Sequence, residues 1–233
     1  MEDPKAALKK VRLSDQDKST VDELISRHPK LADLRDNFYH LFPAHEKLLI
    51  EVLLIDNPGF KITEHRLLLY GLIVRSKGLL RATLREILDD NKVAVSTLLR
   101  AQCENLAAVC YAEKFPDKLR SLLIGTKRKG GTIEAPNILT MVGHADRKYS
   151  GLSKDYDQLS DLSHPTSVSH TGSVQIVDEK ERKVDLPSEP VLRPGEAETC
   201  ATLIHHWTMW FLDTARSVHG EFGKGALKQT SED

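Results

Sequence analysis

The chain is poor in cysteine, with 3 in 233 residues, and an odd thiol count cannot close a full disulfide framework. Cys103, Cys110 and Cys200 each fall in a helical apolar pattern, so they read as small buried hydrophobes in a reducing compartment. Aromatic residues are also scarce, at 6%. Long apolar runs are missing: the longest, Leu67 to Val74, is far short of the roughly 18 residues a membrane-spanning helix needs. The opening MEDPKAALKKVRLSDQDKS lacks the apolar core of a secretory signal, and a soluble, cytoplasmic protein without membrane partners is the expectation. No Gly-x-Gly-x-x-Gly, P-loop, nucleophile elbow or kinase signature occurs. No His-x-x-x-His or Cys-x-x-Cys spacing occurs either, so neither a metal nor another cofactor is expected.

What is present is the composition of a folded helical protein. Apolar residues make up 40% and charged residues 29%, which excludes a collagen-like or wholly disordered chain. The net charge of −1 does not by itself suggest nucleic acid, but its distribution is uneven. Residues 66–130 carry 13 Lys/Arg against 6 Asp/Glu, and the remainder is acidic. Either the basic helices lie against acidic ones, or they present a face to phosphate.

Apolar residues recur at spacings of three and four through most of the chain. The pattern predicts helices over about 18–27, capped by Ser19 or Thr20, and 30–56, with a break at Pro43. Further helices are predicted over 63–90, 92–114, 116–124, 136–149, 152–163 and 195–218. Gly71 and Gly78, two turns apart, suggest that another helix approaches closely there. The period changes near 173–186, where two alternating segments flank a polar turn and predict a small β-hairpin. The expected fold is an all-α, antiparallel multi-helix bundle with that hairpin inserted. One domain would cover 18–219, with the hairpin excursion over 171–190 and flexible segments at 1–17 and 220–233.

Four groups of residues carry candidate chemistry. Arg100 and Glu104 stand one helical turn apart among Ser96, Ala107 and Tyr111, and read either as a buried structural pair or as a functional site. Tyr156, Ser160 and His164 share a face of the 152–163 helix or its end, with Asp161 beside them. An imidazole oriented by Tyr156 or Asp161 suits proton transfer; the plainer reading is a histidine favoured by the helix dipole. Arg75, Arg81 and Arg85 form a cationic series, and Arg81 and Arg85 repel unless an anion lies between them. Asp89, Glu104 or an anionic ligand would serve. Finally, Arg35-Asp36-Asn37-Phe38-Tyr39-His40 pairs a cation for phosphate with an imidazole for a 2′-hydroxyl proton.

The Arg35-to-His40 spacing resembles the active motif of HEPN helical domains. Arg100-x-x-x-Glu104 followed by Tyr156-x-x-Leu159-Ser160-x-x-x-His164-Pro165 resembles a bacterial all-helical family with no assigned activity, over roughly residues 64–170. The resemblance implies a cytoplasmic, homo-oligomeric effector of defence or toxin type. It would bind RNA or a nucleotide and, if an enzyme, cleave RNA without metal. A non-catalytic homodimeric interaction module and a nucleotide or small-anion pocket are the alternatives.

Overall fold

Ser14, rather than Ser19 or Thr20, caps the first long helix of the computed structural model. Its hydroxyl accepts from the Asp17 N–H at 3.1 Å and donates to the Asp17 carboxylate at 2.7 Å. The structure describes residues 4–55, 62–124, 126–127, 133–134, 136–163, 175–178, 183–185, 191–193 and 195–229. Within the expected flexible segment 1–17, a short helix α1 (Pro4–Lys10) forms, and α2 (Asp15–Arg27) begins three residues earlier than the pattern predicts. The reason is tertiary: Asp17 is 2% exposed because it meets Arg81, far along the chain, and that contact selects the earlier cap.

A 3₁₀ turn over Pro29–Leu34 leads into α3 (Arg35–Ile50), which a π turn extends over Glu51–Ile55. Pro43 does not break α3. Proline supplies no N–H to the Tyr39 carbonyl, but burial of Phe38, Leu41, Phe42 and Leu48 on one side holds the helix through it.

Helices α4 (Glu64–Leu88) and α5 (Lys92–Lys114) are joined by Asp89-Asp90-Asn91. Asp90 takes a left-handed φ of 54°, which aspartate tolerates, and the Asn91 side chain accepts from the Ala94 N–H at 3.1 Å to start α5. So tight a turn sends the chain straight back. Asn105 then reaches the Leu72 carbonyl and Gln102 reaches Ser76, the register of an antiparallel pair.

After a 3₁₀ turn at Pro116–Lys118 come α6 (Leu119–Ile124), α7 (Ile138–Lys148), α8 (Leu152–Ser163) and α9 (Glu196–Gln229). The helix α9 continues into the segment 220–233, expected to be flexible, as far as Gln229. Of the expected hairpin near 173–186, residues 173–174, 179–182 and 186 lie outside the described residues; among the others Gln175 stands opposite Asp185 and Ile176 opposite Val184. The described chain is mostly helical, and none of its helices is long and apolar enough to cross a membrane.

The helix α5 lies in the middle, packed against α4, α7, α8 and α9. Leu99, Cys103, Leu106 and Val109 are fully buried there, as are Trp207 and Phe211 on α9 and Phe38 on α3. Each such large side chain contributes roughly 1.5–3 kcal/mol by leaving water. Burial pushes the Cys110 thiol up to about 12 and Cys200 up to about 11, and raises Cys103 as well, so none is poised as a thiolate. The basic α4–α5 region meets acids from outside it: Arg81 with Asp17, Lys92 with Glu196 at 2.8 Å, and Lys77 with Glu46.

Candidate functional site

One residue from each of α4 and α8 meets the Arg100–Glu104 pair on α5. The Arg100 Nε lies 3.3 Å from Glu104 Oε1, as i,i+4 spacing allows. Tyr156 enters from α8. Its hydroxyl accepts from Arg100 Nη2 at 3.2 Å and donates to Glu104 Oε1 at 3.3 Å. The guanidinium carbon of Arg100 also lies 5.3 Å from the Tyr156 ring centroid, within reach of its π face. From α4, Arg75 Nη2 stands 3.8 Å from the other Glu104 oxygen. The two carboxylate oxygens thus face two guanidiniums on different helices.

The cluster is graded from core to surface. Tyr156 is 3% exposed, the side chains of Arg100 and Glu104 are about a quarter exposed, and that of Arg75 is 49% exposed. One guanidinium is therefore fixed by a phenol and a carboxylate, while the other is loosely held at the rim. Such an arrangement suits a phosphate or another oxyanion, which takes planar, forked donors well.

Ser160 lies one turn beyond Tyr156 on α8. Its Oγ is buried and has no hydrogen-bond partner among the described residues, and Asp161 is exposed. His164, which follows α8 in the sequence, and His170 lie outside the described residues. Tyr111, two turns along α5 from Glu104, joins Phe115 and His144 in an aromatic group instead of the cluster.

The Arg35 and His40 side chains do not converge. Arg35 points to Asp22 on α2, at 3.9 Å, beside Tyr39, whose hydroxyl donates to the same carboxylate. His40 lines a small cleft against α9 with Met209, Asp213 and Arg216. Five residues at about 100° each put the two side chains well apart around α3. Among the three arginines expected to bind an anion, Arg81 is taken up by Asp17, with Nε and Nη2 at 2.7 and 2.8 Å from its two oxygens. Burial alone would raise the Asp17 pKa, but the bonds from Arg81 and Ser14 outweigh it and hold the carboxyl below its ordinary value. Arg81 is thus a structural partner rather than an open anion site. Arg85, one turn on, is partly buried near the C-terminal end of α4. Of the three, Arg75 alone contacts the cluster.

The sequence pattern did not disclose a second polar group, inside the core between α3, α4 and α5. His45 is fully buried. Its Nδ1 lies 2.7 Å from the Leu41 carbonyl and so carries the proton, and its Nε2 accepts from the Ser76 hydroxyl at 3.1 Å. Ser76 in turn accepts from the Gln102 amide at 3.0 Å. Burial pushes the His45 pKa down to about 4. With no solvent path, this serine–histidine pair is a packing device. The only hint in the sequence is a polar residue on each of three otherwise apolar faces.

A cleft of about 390 Å³ opens on the other side of α8, lined by Leu99, Leu159, Leu162, Leu192, Cys200 and Leu203 among others. It holds none of the cluster residues. Among the described residues no group of three His, Cys, Asp or Glu side chains is placed to hold a metal ion. No protein-family model matches the chain, and no curated protein or solved structure matches it.

Proposed function

We propose that the protein is a HEPN-like RNA-binding effector of bacterial defence or toxin type, acting in the cytoplasm, and that the Arg75–Glu104–Arg100–Tyr156 cluster is its phosphate-binding site. The observation that carries this is the pairing of a fixed guanidinium with a half-exposed one around a single carboxylate. Arg100, held by Tyr156 and Glu104, gives a preset fork for a phosphate oxygen, and Arg75 adds a second cation from the rim. The basic charge of residues 66–130 supplies an attractive field for the backbone.

In the cleaving form of this reading, His164 moves the 2′-hydroxyl proton, the hydroxyl oxygen attacks the adjacent phosphorus, and the leaving 5′-oxygen takes up a proton. No metal enters the step. The helices form an antiparallel bundle with the 173–186 hairpin as an insertion.

The test is fluorescence anisotropy of a labelled single-stranded RNA panel at low salt with EDTA present, followed by gel analysis of the same mixtures. The wild type binds, Arg75→Gln weakens binding and reduces the log–log salt slope by about 0.7, the value for one single-strand phosphate contact. His164→Ala keeps binding and loses cleavage. Absence of binding by the wild type to every RNA in the panel overturns the proposal. Binding without metal-free cleavage leaves the RNA-binding reading and removes the nuclease. Arg100→Gln that unfolds the chain while Arg75→Gln leaves RNA affinity intact identifies the cluster as structural.

A further inference from the structure

The cleft of about 390 Å³ beside α8 is within the size range of small-molecule sites, which form readily between the helices of a bundle. Its apolar lining is aliphatic. Leu99 comes from α5, Leu159 and Leu162 from α8, Leu203 from α9, and Leu192 from the chain just before α9. No aromatic ring stands among the described lining residues, so the walls offer close packing to an aliphatic body and no stacking partner to a flat one. Most of the polar groups there are spoken for. Lys92 donates to Glu196 at 2.8 Å, and Glu196 also accepts from the Arg193 N–H at 2.7 Å. The Ser96 and Thr199 hydroxyls donate to the Lys92 and Gly195 carbonyls of their own helical turns. Asp155 differs. It is only partly exposed, yet its carboxylate makes no hydrogen bond or ion pair among the described residues. The Gln158 amide, one helical turn along the same side of α8, makes none either.

We infer that this cleft binds a small aliphatic amine, its ammonium held by the Asp155 carboxylate and the Gln158 amide oxygen and its hydrocarbon body lying among the leucines. The charge of the head follows from which cleft group lacks a partner. An anionic head would have to take Lys92 from Glu196, and it would meet Asp155 unscreened. A cation displaces nothing. Asp155 stands in the first turn of α8, where the helix dipole favours a negative charge but supplies no donor to its oxygens. Burial pushes this carboxyl above its ordinary value; the charge of Lys154 opposes the shift and that of Asp146 adds to it. A carboxylate that has lost water and gained no counter-ion is destabilised, and a bound ammonium offsets that cost. The length of the body follows from α8. Leu159 and Leu162 lie four and seven residues beyond Asp155, about 6 and 10 Å along the helix, and within about 60° of it around the axis. A straight hydrocarbon chain of medium length, anchored at Asp155, runs past both.

The inference does not depend on RNA, because the cleft holds none of the Arg75–Glu104–Arg100–Tyr156 residues. The test is isothermal titration calorimetry of the full chain at neutral pH with n-octylamine, n-octanol and n-octanoate, which share a body and differ in the head. The amine binds with a stoichiometry of one per chain. The alcohol binds at least about tenfold more weakly, the value of a charge-assisted hydrogen bond, and the carboxylate more weakly still. Asp155→Asn lowers amine affinity to that of the alcohol and leaves alcohol affinity unchanged. Its melting transition stays that of the wild type, since the carboxylate has no partner to lose. Asp157→Asn, at an exposed position of α8 outside the cleft, leaves amine affinity unchanged and so separates a site from general attraction to acidic residues. Thr199→Phe, at an exposed position that lines the cleft, fills it and weakens amine and alcohol alike. The ranking of the three ligands on the wild type decides the matter even where a variant fails to fold. No binding of the amine, octanoate affinity equal to or above that of the amine, or an Asp155→Asn variant that binds the amine as the wild type does overturns the inference. Failure of RNA binding leaves the amine titration untouched, so the two proposals fail separately.

Discussion

Arg75 and Arg81 stand six residues apart on α4 and meet their carboxylates in opposite ways. Arg81 grips both oxygens of an Asp17 side chain that is 3% exposed, while Arg75 stands 3.8 Å from one oxygen of Glu104 and is half in water. The Asp17 carboxylate also accepts from the Ser14 hydroxyl, whose oxygen accepts in turn from the Asp17 N–H. Glu104 divides itself among Arg100, Tyr156 and Arg75. The difference is one of commitment. A bidentate pair with a buried acid ties α2 to α4, and removing one side strands a charge. A loose pair at the rim costs little to open, which is what a ligand site needs.

Among the arginine substitutions, the largest expected effect therefore belongs to Arg81. Arg81→Ala leaves Asp17 buried without its cation and lowers stability by about 2–3 kcal/mol, somewhat less than a fully buried pair because Arg81 itself is one-third exposed. Urea denaturation at neutral pH measures it. A loss below about 1 kcal/mol would mean that Asp17 is hydrated, and the contrast with Arg75 would collapse.

Acid should act on the core with a comparable magnitude. Burial pushes the pKa of His45, His65 and His205 down to about 4 from 6.5, with the charges of Arg66 and His219 adding to the effect at His65. Between those values the unfolded chain binds more protons than the folded one, so stability falls as pH falls through the window. His45 alone accounts for a loss on the order of 3 kcal/mol across it. The depressed Asp17 carboxyl adds a further loss only below about pH 4, as the pH falls towards its folded pKa. Urea midpoints taken from pH 7 to pH 4 should decline, and His45→Gln should flatten the slope. A wild-type curve that stays level over this range would show that His45 is reached by water.

The contrast between the two arginines was only half legible in the sequence. Both helix boundaries were: Thr63-Glu64 opens α4, and Asp89-Asp90-Asn91 closes it and starts α5. The Arg100–Glu104 contact was legible too, because one helical turn fixes it locally. The partner of Arg81 was not. Asp17 is 64 residues away on a helix whose start was itself misplaced. Periodicity gives the inward face of each helix, but not its rotation, its axial shift or the helix it crosses, and those decide which acid meets which base. The same limit hid the separation of Arg35 from His40. Their spacing satisfied a motif, yet five residues around a helix turned one towards α2 and the other towards α9.

The smallest effect on stability is expected at Arg75, and there it carries the most meaning. Arg75→Gln removes a half-exposed charge 3.8 Å from a carboxylate that keeps its bonds to Arg100 and Tyr156. An exposed ion pair of this kind contributes about 0–1 kcal/mol. The urea midpoint should therefore shift by an amount near the error of the measurement, on the order of 0.5 kcal/mol or less, while RNA affinity falls. Arg75→Gln and Arg81→Ala thus give opposite pairs of readouts: one changes binding and spares the fold, the other weakens the fold. If Arg75→Gln destabilises the protein as strongly as Arg81→Ala, Glu104 depends on both arginines to stay in place. The cluster is then a second structural lock of the Asp17 kind, and the phosphate site has to be sought elsewhere on the basic face.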